Sequence, residues 1–473
     1  ADLRAMVVRL EARIVELERE ASRHSGNSGR APSSDTLPER AAQNEQRLSR
    51  AERRRMARAE LKERTKAKEP KRSPGKQPGG EGKTLEMVDL PDVVETLVPQ
   101  SCSGCGESLA DALVVGVERR QVFDVPEIRA RVTEHRAESK RCSCGETTAV
   151  PFPPEARAPA CWGPNLRAFA AYLLCRQHIP VARAAEFISD VLGAPVSTGF
   201  LAGIPGEAEG ALGGFLAEAR RQLAAADVAH FDETGARIAG KRHWFHVAST
   251  DLITLLMFHP KRGRAAFDDM GVLGGFAGTA VHDGWKSYWA FDCAHAICGA
   301  HLLRDLAGAA EVASQTPWAD GMADLLIDAK DAIQAALAAG SSGLNRNQLK
   351  GFRRRYSLLV KAGYAANPDP AGRKRDALER ASYNLLRRFD TQRDDICRSW
   401  IDTRVPFDNN QAERDLRMVK LQQKISGCFR TPDGATAFCA VRSYLQSAAK
   451  HGLNLLGVLK RLFVGDPWIP ATT

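Results

Sequence analysis

The 473-residue chain has no run near the roughly 18 consecutive apolar residues that a membrane-spanning helix needs, which argues against an integral helical membrane protein. It also lacks a short apolar segment set between a basic N-terminus and a small-residue cleavage site. A soluble, cytoplasmic protein is the expectation. The 11 cysteines are odd in number and mostly irregular in spacing, unlike a secreted disulfide framework, so reduced thiols or a metal site are expected. What the chain does have is a 44 % hydrophobic content, enough to bury at least one sizeable core across about two to four units.

Charge is concentrated. Between Arg47 and Lys83 stand fourteen Lys or Arg against five Glu, nearly all of the net +10, and the remainder of the chain is close to neutral. The segment ends in EPKRSPGKQPGGEGK, a Pro/Gly/Lys tract unable to build a packed core and expected to be an extended linker. A run of this kind is either a solvated stretch or an arm for phosphates; the clustering favours the arm, with Arg53, Arg54, Arg55, Lys71, Arg72 and Lys76 as DNA contacts. Ahead of it, Leu3, Val7, Leu10, Ile14 and Leu17 form a short heptad seam, which fits self-association as a homo-oligomer or packing on the same protein.

Two close cysteine pairs follow, Cys102/Cys105 in CSGC and Cys142/Cys144 in CSC, with the alternating stretches 114–125 and 128–142 between them. Paired thiolates on tight turns, closed by Gly106 and Gly145, suit one tetrahedral Zn²⁺; buried free thiols are the alternative. From Pro164 to Glu209 apolar residues recur at helical spacing, with Ser197 as the N-cap of a third helix. The layout fits a helix-turn-helix opening its recognition helix at Thr198, or three helices packed without DNA contact.

After Ala225 the pattern becomes strand-like: DVAHFDETG, KRHWFHVASTD and LITLLMFHP, then a helix over 264–270, TAVHDGWKSY, and a strand running into a helix in HAICGAHLLRDL. The order β-β-β-α-β-β-α is that of a ribonuclease-H-like core. Asp232 falls on its first strand and Asp283 at the end of its fourth, which lie side by side in such a core. Either Asp alone fits a turn or cap; the pair invites a third acid from a helix. VPFDNNQAERDLRMVKLQQKISG offers one, with Asp408 or Asn409 at its cap and Glu413, Arg417, Lys420 and Lys424 on one face. An ordinary surface helix with Glu-to-Arg pairs has the same periodicity.

NSGRAPSSD, GKQPGGEGKTL, the two cysteine pairs, FDETG, HDGWKSY, CGAHLLRDL, PFDNNQAERDLR and SGCFRTPDGATAFCAVRSYLQSAAKHGLN occur in this order, and with them the chain resembles the transposases of insertion-sequence family 66 over nearly its whole length. It departs from that pattern in PGG, where a His is expected after PG, and in the looser SGRAP. The resemblance implies a DDE core with Asp232, Asp283 and Glu413 as catalytic acids, DNA ends and target as partners, and accessory proteins of the same element. It also implies a helical insertion between the last two acids. The chain is thus expected to comprise a zipper-like helix (1–22), the basic arm and linker (23–83), a β-rich zinc-binding domain (84–155), a helix-turn-helix-like domain (156–222), an α/β ribonuclease-H-like core (223–307 and 401–450), a helical insertion (308–400) and a tail (451–473).

Cleaving and joining phosphodiesters calls for two Mg²⁺ (or Mn²⁺) on oxygen ligands, with Asp232 bridging and Asp283 and Glu413 holding one ion each. Arg417, Lys420 and Lys424 would grip the DNA backbone. Cys293, His295, Cys298 and His301 lie close in sequence, but Cys298 with His301 has no second pair in view, so core packing or positioning is the better reading than zinc. Likeness to other DDE transposases, which carry a similar Cys-x₂-His before the insertion, implies an active-site supporting role for His301. A silent DNA-binding derivative and a nuclease without strand transfer are the rival classes; three intact acids speak against the first. Deleting 47–83 is expected to weaken DNA binding and flatten the slope of log K against log[salt] by several units, at roughly 0.9 per phosphate neutralised. An unchanged slope would move the electrostatic contacts elsewhere.

Overall fold

The structure, a computed structural model, describes residues 85–310, 314–368, 377–427 and 429–471. The zipper-like helix and the arm, with Arg53, Arg54, Arg55, Lys71, Arg72 and Lys76, lie outside the described residues. The chain divides into two compact units, Ala1–Asp124 and Val125–Thr473. In the first, the described backbone is largely irregular, with one isolated bridge from Ser101 to Ser108. The strand expected over 114–125 does not form. Val114 and Val115 are 75 % and 95 % exposed, so side chains of both parities face solvent and no layer rewards the alternation.

The second unit begins with another departure from a β-rich reading. Of the stretch 128–142, only β1 (Ser139–Arg141) is a strand, paired antiparallel with β2 (Thr147–Ala149) in an exposed hairpin. Helices follow: α1 (Pro164–Ala171), which continues as one π-turn over Tyr172–Arg176, then α2 (Val181–Leu192), α3 (Thr198–Gly210) and α4 (Gly213–Ala224). Pro164 at the first turn starts α1, and Gly193, at φ 60°, ends α2 in a left-handed turn. Ser197 caps α3 by accepting from the Phe200 amide at 3.1 Å. Leu201, Ile204 and Ala208 bury one face of α3, and Thr198, Gly199, Ala202, Gly203 and Gly206 stay exposed. Those exposed residues include none of the long polar side chains that make bidentate contacts with a base edge.

The central sheet has five strands in the order β5-β4-β3-β6-β7: β3 (Val228–Ile238), β4 (Lys241–Ser249), β5 (Thr254–His259), β6 (Thr279–His282) and β7 (Ala294–Ile297). β3, β4 and β5 pair antiparallel in sequence, and β6 and β7 run parallel to β3. The crossover to β6 carries α5 (Arg264–Met270). Alternation sorts the side chains. Ala229, Phe231, Ala248 and Leu255 face a core shared with α1 to α4, whereas Ala236, Ile238, Phe245, Val247 and Leu256 face the opposite layer.

That opposite layer comes from far along the chain. α6 (Gly299–Ala309), α7 (Thr316–Ala338), α8 (Arg346–Ala366), α9 (Ala377–Thr391) and the short α10 (Arg393–Ile396) and α11 (Arg398–Ile401) contribute to a separate apolar cluster around Trp318, Leu325, Tyr356 and Phe389. The chain then returns as α12 (Asn410–Ser426), which lays Ala412, Leu416 and Val419 on β3 and β4, and α13 (Pro432–Lys450), which packs on β5. The segment expected as a tail is instead partly helical: α14 (Leu455–Phe463) buries Val458, Leu459, Leu462 and Phe463 in the same core as α1. Its amphipathic spacing, capped by Asn454 on the Gly457 amide at 2.7 Å, is the reason.

Asp415 of α12 ties this layer to the sheet edge. Its Oδ2 accepts from Thr254 Oγ1 at 2.9 Å, Lys450 Nζ at 2.8 Å and Gln411 Nε2 at 3.1 Å. Asp415→Ala would strand a nearly buried ammonium, which usually costs 3–5 kcal/mol. The Thr250 and Ile253 carbonyls, 2.7 and 3.2 Å from that ammonium, remain to hold it. A loss of about 3 kcal/mol, read from chemical denaturation, is therefore expected; a loss under roughly 1 kcal/mol, the scale of an exposed pair, would mean that the tie is dispensable.

Candidate active site

Asp232 and Asp283 are brought near each other by register. β3 and β6 pair Val228 with Thr279, Ala229 with Ala280 and His230 with Val281; Asp232 lies two residues beyond this paired stretch on β3, and Asp283 two residues beyond it, just past the end of β6. The even residues of β3 face α12, and so does Asp232. α12 adds Glu413, whose amide donates to the Asn409 carbonyl at 3.2 Å in the first turn. Asp283 and Glu413 are both near enough to act on Asp232: burial, then Glu233, Asp283 and Glu413 push its carboxyl up to about 7, against the Glu233 amide, which donates to its Oδ1 at 2.8 Å.

Asn409 sets where α12 begins. Only 1 % exposed, it donates through Nδ2 to the Phe231 carbonyl at 2.8 Å, accepts through Oδ1 from His230 Nδ1 at 2.9 Å, and donates its backbone amide to Cys298 Sγ at 3.2 Å. Its side chain is thus spent on β3, and Asp408 serves the helix start by accepting from the Asn410 amide at 3.1 Å. Gly299 completes the junction. Its amide bonds the Phe407 carbonyl at 2.8 Å, and a Cβ there would sit 2.4 Å from the Phe407 ring, so only glycine lets the two segments approach this closely.

On the other side of the sheet lies an electrostatic brace. Glu233 is buried and its carboxyl is raised, by burial first, although Tyr288 donates to Oε2 at 2.6 Å and the Arg262 Nε to Oε1 at 2.8 Å. The Arg262 guanidinium also comes within 3.9 Å of Asp283 and lies over the rings of Trp244 and Trp285, 5.0 and 4.1 Å from their centroids. Behind Asp283 runs a chain of neutral imidazoles. The Gly284 amide donates to His282 Nδ1 at 3.0 Å, His282 Nε2 then donates to His295 Nδ1 at 3.0 Å, and His295 Nε2 lies 3.3 Å from the Phe291 carbonyl. Burial holds both imidazoles below the usual histidine range, which keeps the chain uncharged, and the Gly284 amide at one end sets the tautomers.

His301 Nδ1 lies 3.7 Å from Glu413 Oε1 and is buried without a hydrogen-bond partner. Arg417 and Lys424 are exposed on α12, whereas the Lys420 ammonium donates to the Gly235 carbonyl of β3, which occupies one of its three donors. Sequence reasoning missed Glu233, Arg262, Tyr288 and the structural task of Asn409. Glu233 stands beside Asp232 in FDETG, and its own acidity was the one signal available.

The cysteine pairs adopt two similar turns, one in each unit. The Cys102 amide donates to the Glu107 carbonyl at 2.8 Å and the Gly106 amide returns to the Cys102 carbonyl at 2.9 Å, with Gly106 at φ 81°. The Cys142 amide donates to the Glu146 carbonyl at 2.8 Å and the Gly145 amide to the Cys142 carbonyl at 2.9 Å, with Gly145 at φ 92°. Backbone amides of the second cysteine in each turn hold the Cys102 and Cys142 thiols below their ordinary range.

A family model described as transposase IS66 family matches residues 159–437, more than half of the chain and all three acids. A second, described as the zinc-finger binding domain of transposase IS66, matches residues 99–145 and includes all four paired cysteines. A third, for a family of unknown function, matches residues 1–60. Comparison with curated proteins gave no match. The protein is a transposase with a zinc-finger domain. It belongs to the IS66 family. Among the described residues, no helix is long and apolar enough to cross a membrane.

The Asp232 carboxyl carries a pH consequence. Its folded pKa, about 7, exceeds the ordinary 3.8, so between those values the folded chain holds a proton that the unfolded chain has lost. Stability of the metal-free protein therefore falls as pH rises from about 4 to 7. Melting temperatures across that range should show the fall, and Asp232→Asn should flatten it. An equal slope in both proteins would assign the loss to other groups.

Proposed function

We propose that this transposase cleaves DNA at element ends and joins the new 3′-ends to target DNA through a ribonuclease-H-like core in which Asp232, Asp283 and Glu413 hold two Mg²⁺ or Mn²⁺. The observation that carries the reading is the carboxylate arrangement: Asp232 on β3, Asp283 just past the end of the adjacent parallel β6, and Glu413 on the helix laid on β3 and β4, with Asp283 and Glu413 both raising the Asp232 carboxyl. The strand order β5-β4-β3-β6-β7, with three antiparallel strands followed by two parallel ones, supports the core assignment. A donor set made only of carboxylate oxygens, one of them raised to about 7 by burial first and then by its acidic neighbours, fits hard divalent cations that would relieve the crowded charge.

When bound, such ions supply Lewis-acid charge to the attacking and departing oxygens of the phosphodiester. The chain's own residues do the positioning. Asp232 must lose its proton to serve as the shared ligand, Asp283 is held by the Trp285 amide on its Oδ1 at 2.8 Å, and His301 stands beside Glu413. Arg262 keeps Glu233 neutralised so that a fourth carboxylate does not compete for metal. The exposed cations Arg417 and Lys424, on the face of α12 that carries Glu413, are suited to phosphates, and Lys420 has two donors left for the same task.

The four thiols Cys102, Cys105, Cys142 and Cys144 are proposed as the ligands of one structural Zn²⁺. Their knuckle-like turns, and the zinc-finger match over 99–145, support that assignment. The basic arm and the N-terminal helix are proposed to add sequence-independent DNA affinity and self-association.

The test uses linear DNA bearing the element's ends with a target plasmid. Wild-type protein is expected to cleave and join; hydrolysis without joining would reassign the protein as a nuclease. Glu413→Gln, which keeps shape and removes charge, should reduce Mg²⁺-dependent cleavage below detection with folding and DNA binding nearly intact. Asp408→Asn should cost little, because Asn still accepts from the Asn410 amide. A folded but dead Asp408→Asn beside an active Glu413→Gln would move the third ligand to Asp408.

A further inference from the structure

Cys298 and His301 flank the start of α6, three residues apart and therefore on one helical turn. In sequence they have no further partner. The fold supplies one from more than a hundred residues away: Glu413 of α12 brings a carboxylate oxygen into a cluster in which the Cys298 sulfur, an imidazole nitrogen and that oxygen lie within 4.8 Å of one another. We infer that Cys298, His301 and Glu413 form a second metal site, which takes a thiophilic divalent cation of the Zn²⁺ type and silences the catalytic centre by occupying Glu413. The silencing rests on the proposed role of Glu413 as a ligand of the catalytic ions; the binding does not.

Donor atoms around tetrahedral zinc stand roughly 3 to 4 Å apart, given bonds of about 2.0–2.3 Å. The separation of 3.7 Å between His301 Nδ1 and Glu413 Oε1 is already in that range, too long for a hydrogen bond and right for two ligands of one ion. His301 Nδ1 is also buried and without a hydrogen-bond partner, an unusual state for an imidazole nitrogen and one that a metal would satisfy.

The sulfur is pinned from both sides. Cys298 is fully buried, its amide donates to the His282 carbonyl at 2.8 Å, its sulfur accepts from the Asn409 amide at 3.2 Å, and the next residue is fastened to Phe407. Such outer contacts orient a ligand without blocking it. Glu413, half-exposed on its helix, is then the member free to adjust. A thiolate and an imidazole favour Zn²⁺ over Mg²⁺, whereas the all-oxygen cluster of Asp232, Asp283 and Glu413 has the opposite preference. One carboxylate thus belongs to two donor sets of different softness and cannot serve both in full.

The experiment starts from the full chain purified with its finger zinc in place. Cobalt chloride is titrated in, and the near-ultraviolet thiolate-to-cobalt absorption is recorded for wild type and Cys298→Ser, whose hydroxyl still accepts from the Asn409 amide. One further Co²⁺ per chain is expected in wild type, with that absorption lost in Cys298→Ser; cobalt exchanged into the finger would persist in the variant. An absorption equal in both overturns the site. If Cys298→Ser melts early, His301→Gln serves as the second variant and must weaken Co²⁺ uptake at least tenfold; unchanged uptake overturns the site. Zinc chloride is then added to Mg²⁺-dependent cleavage, each variant judged against its own zinc-free rate. The concentration that halves the rate should rise at least tenfold in Cys298→Ser, and an equal value in both overturns the silencing. Should Glu413→Gln cleave normally, the catalytic reading of Glu413 and the silencing fail together, whereas cobalt uptake through Cys298 still decides the binding site.

Discussion

The arrangement of the acids depends on the burial of a single amide. Asn409 is sealed from water, and a buried carboxamide must find partners for both its donor and its acceptor. It finds them on β3, at the Phe231 carbonyl and the His230 imidazole, immediately before Asp232. Its own amide meets the Cys298 sulfur at the start of α6. One residue therefore fixes the N-terminus of α12 against two other elements, four positions before Glu413, and the reach of that glutamate toward the sheet follows. Without the tether, α12 would be held mainly by apolar contacts along Ala412, Leu416 and Val419 and by the ties of Asp415, and apolar contacts set distance more firmly than rotation.

Sheet alternation then divides the charge. Asp232 projects toward α12, where Glu413 waits, and Asp283 stands near it past the end of β6; Glu233 projects the other way and is matched by Arg262 and Tyr288. Acids adjacent in sequence thus have opposite surroundings: one in a cluster of like charge that invites a cation, one already neutralised. The uncharged His282–His295 chain under Asp283 adds rigidity with no further charge, since both rings titrate below their ordinary range. A protonated imidazole there would compete with any divalent ion for the neighbouring carboxylate.

The long excursion between Asp283 and Glu413 is tolerated because it closes on itself. Its helices share an apolar cluster of their own around Trp318, Tyr356 and Phe389, and its entry and exit meet where Gly299 packs on Phe407. The same closure places Cys298 and His301 beside Glu413, so the inferred soft-metal site and the proposed catalytic site are products of one junction.

Much of this was legible from residues alone. The strand and helix order from β3 to α6, the helix carrying Glu413, the cap at Ser197 and the two cysteine turns follow from local rules of alternation, helical period and glycine punctuation, and these act within a few residues. The motifs FDETG, HDGWKSY and DNNQAER pointed to the family, and with it to Asp232, Asp283 and Glu413 as the acids proposed for catalysis. Tertiary structure decided the rest. Val115 and Val117 stand at strand spacing, yet they and Val114 stay exposed, because alternation forms a sheet only where another layer covers one face. The last segment, expected as a tail, became α14 because α1 offered its apolar side a partner. Glu233 and Arg262, Asn409 and Phe231, and Cys298, His301 and Glu413 are partners from 29 to 178 residues apart in the hydrogen-bonded pairs, and more than a hundred in the metal set. A single sequence records which groups have chemistry to offer, but which of them meet is fixed by the packing of the whole chain.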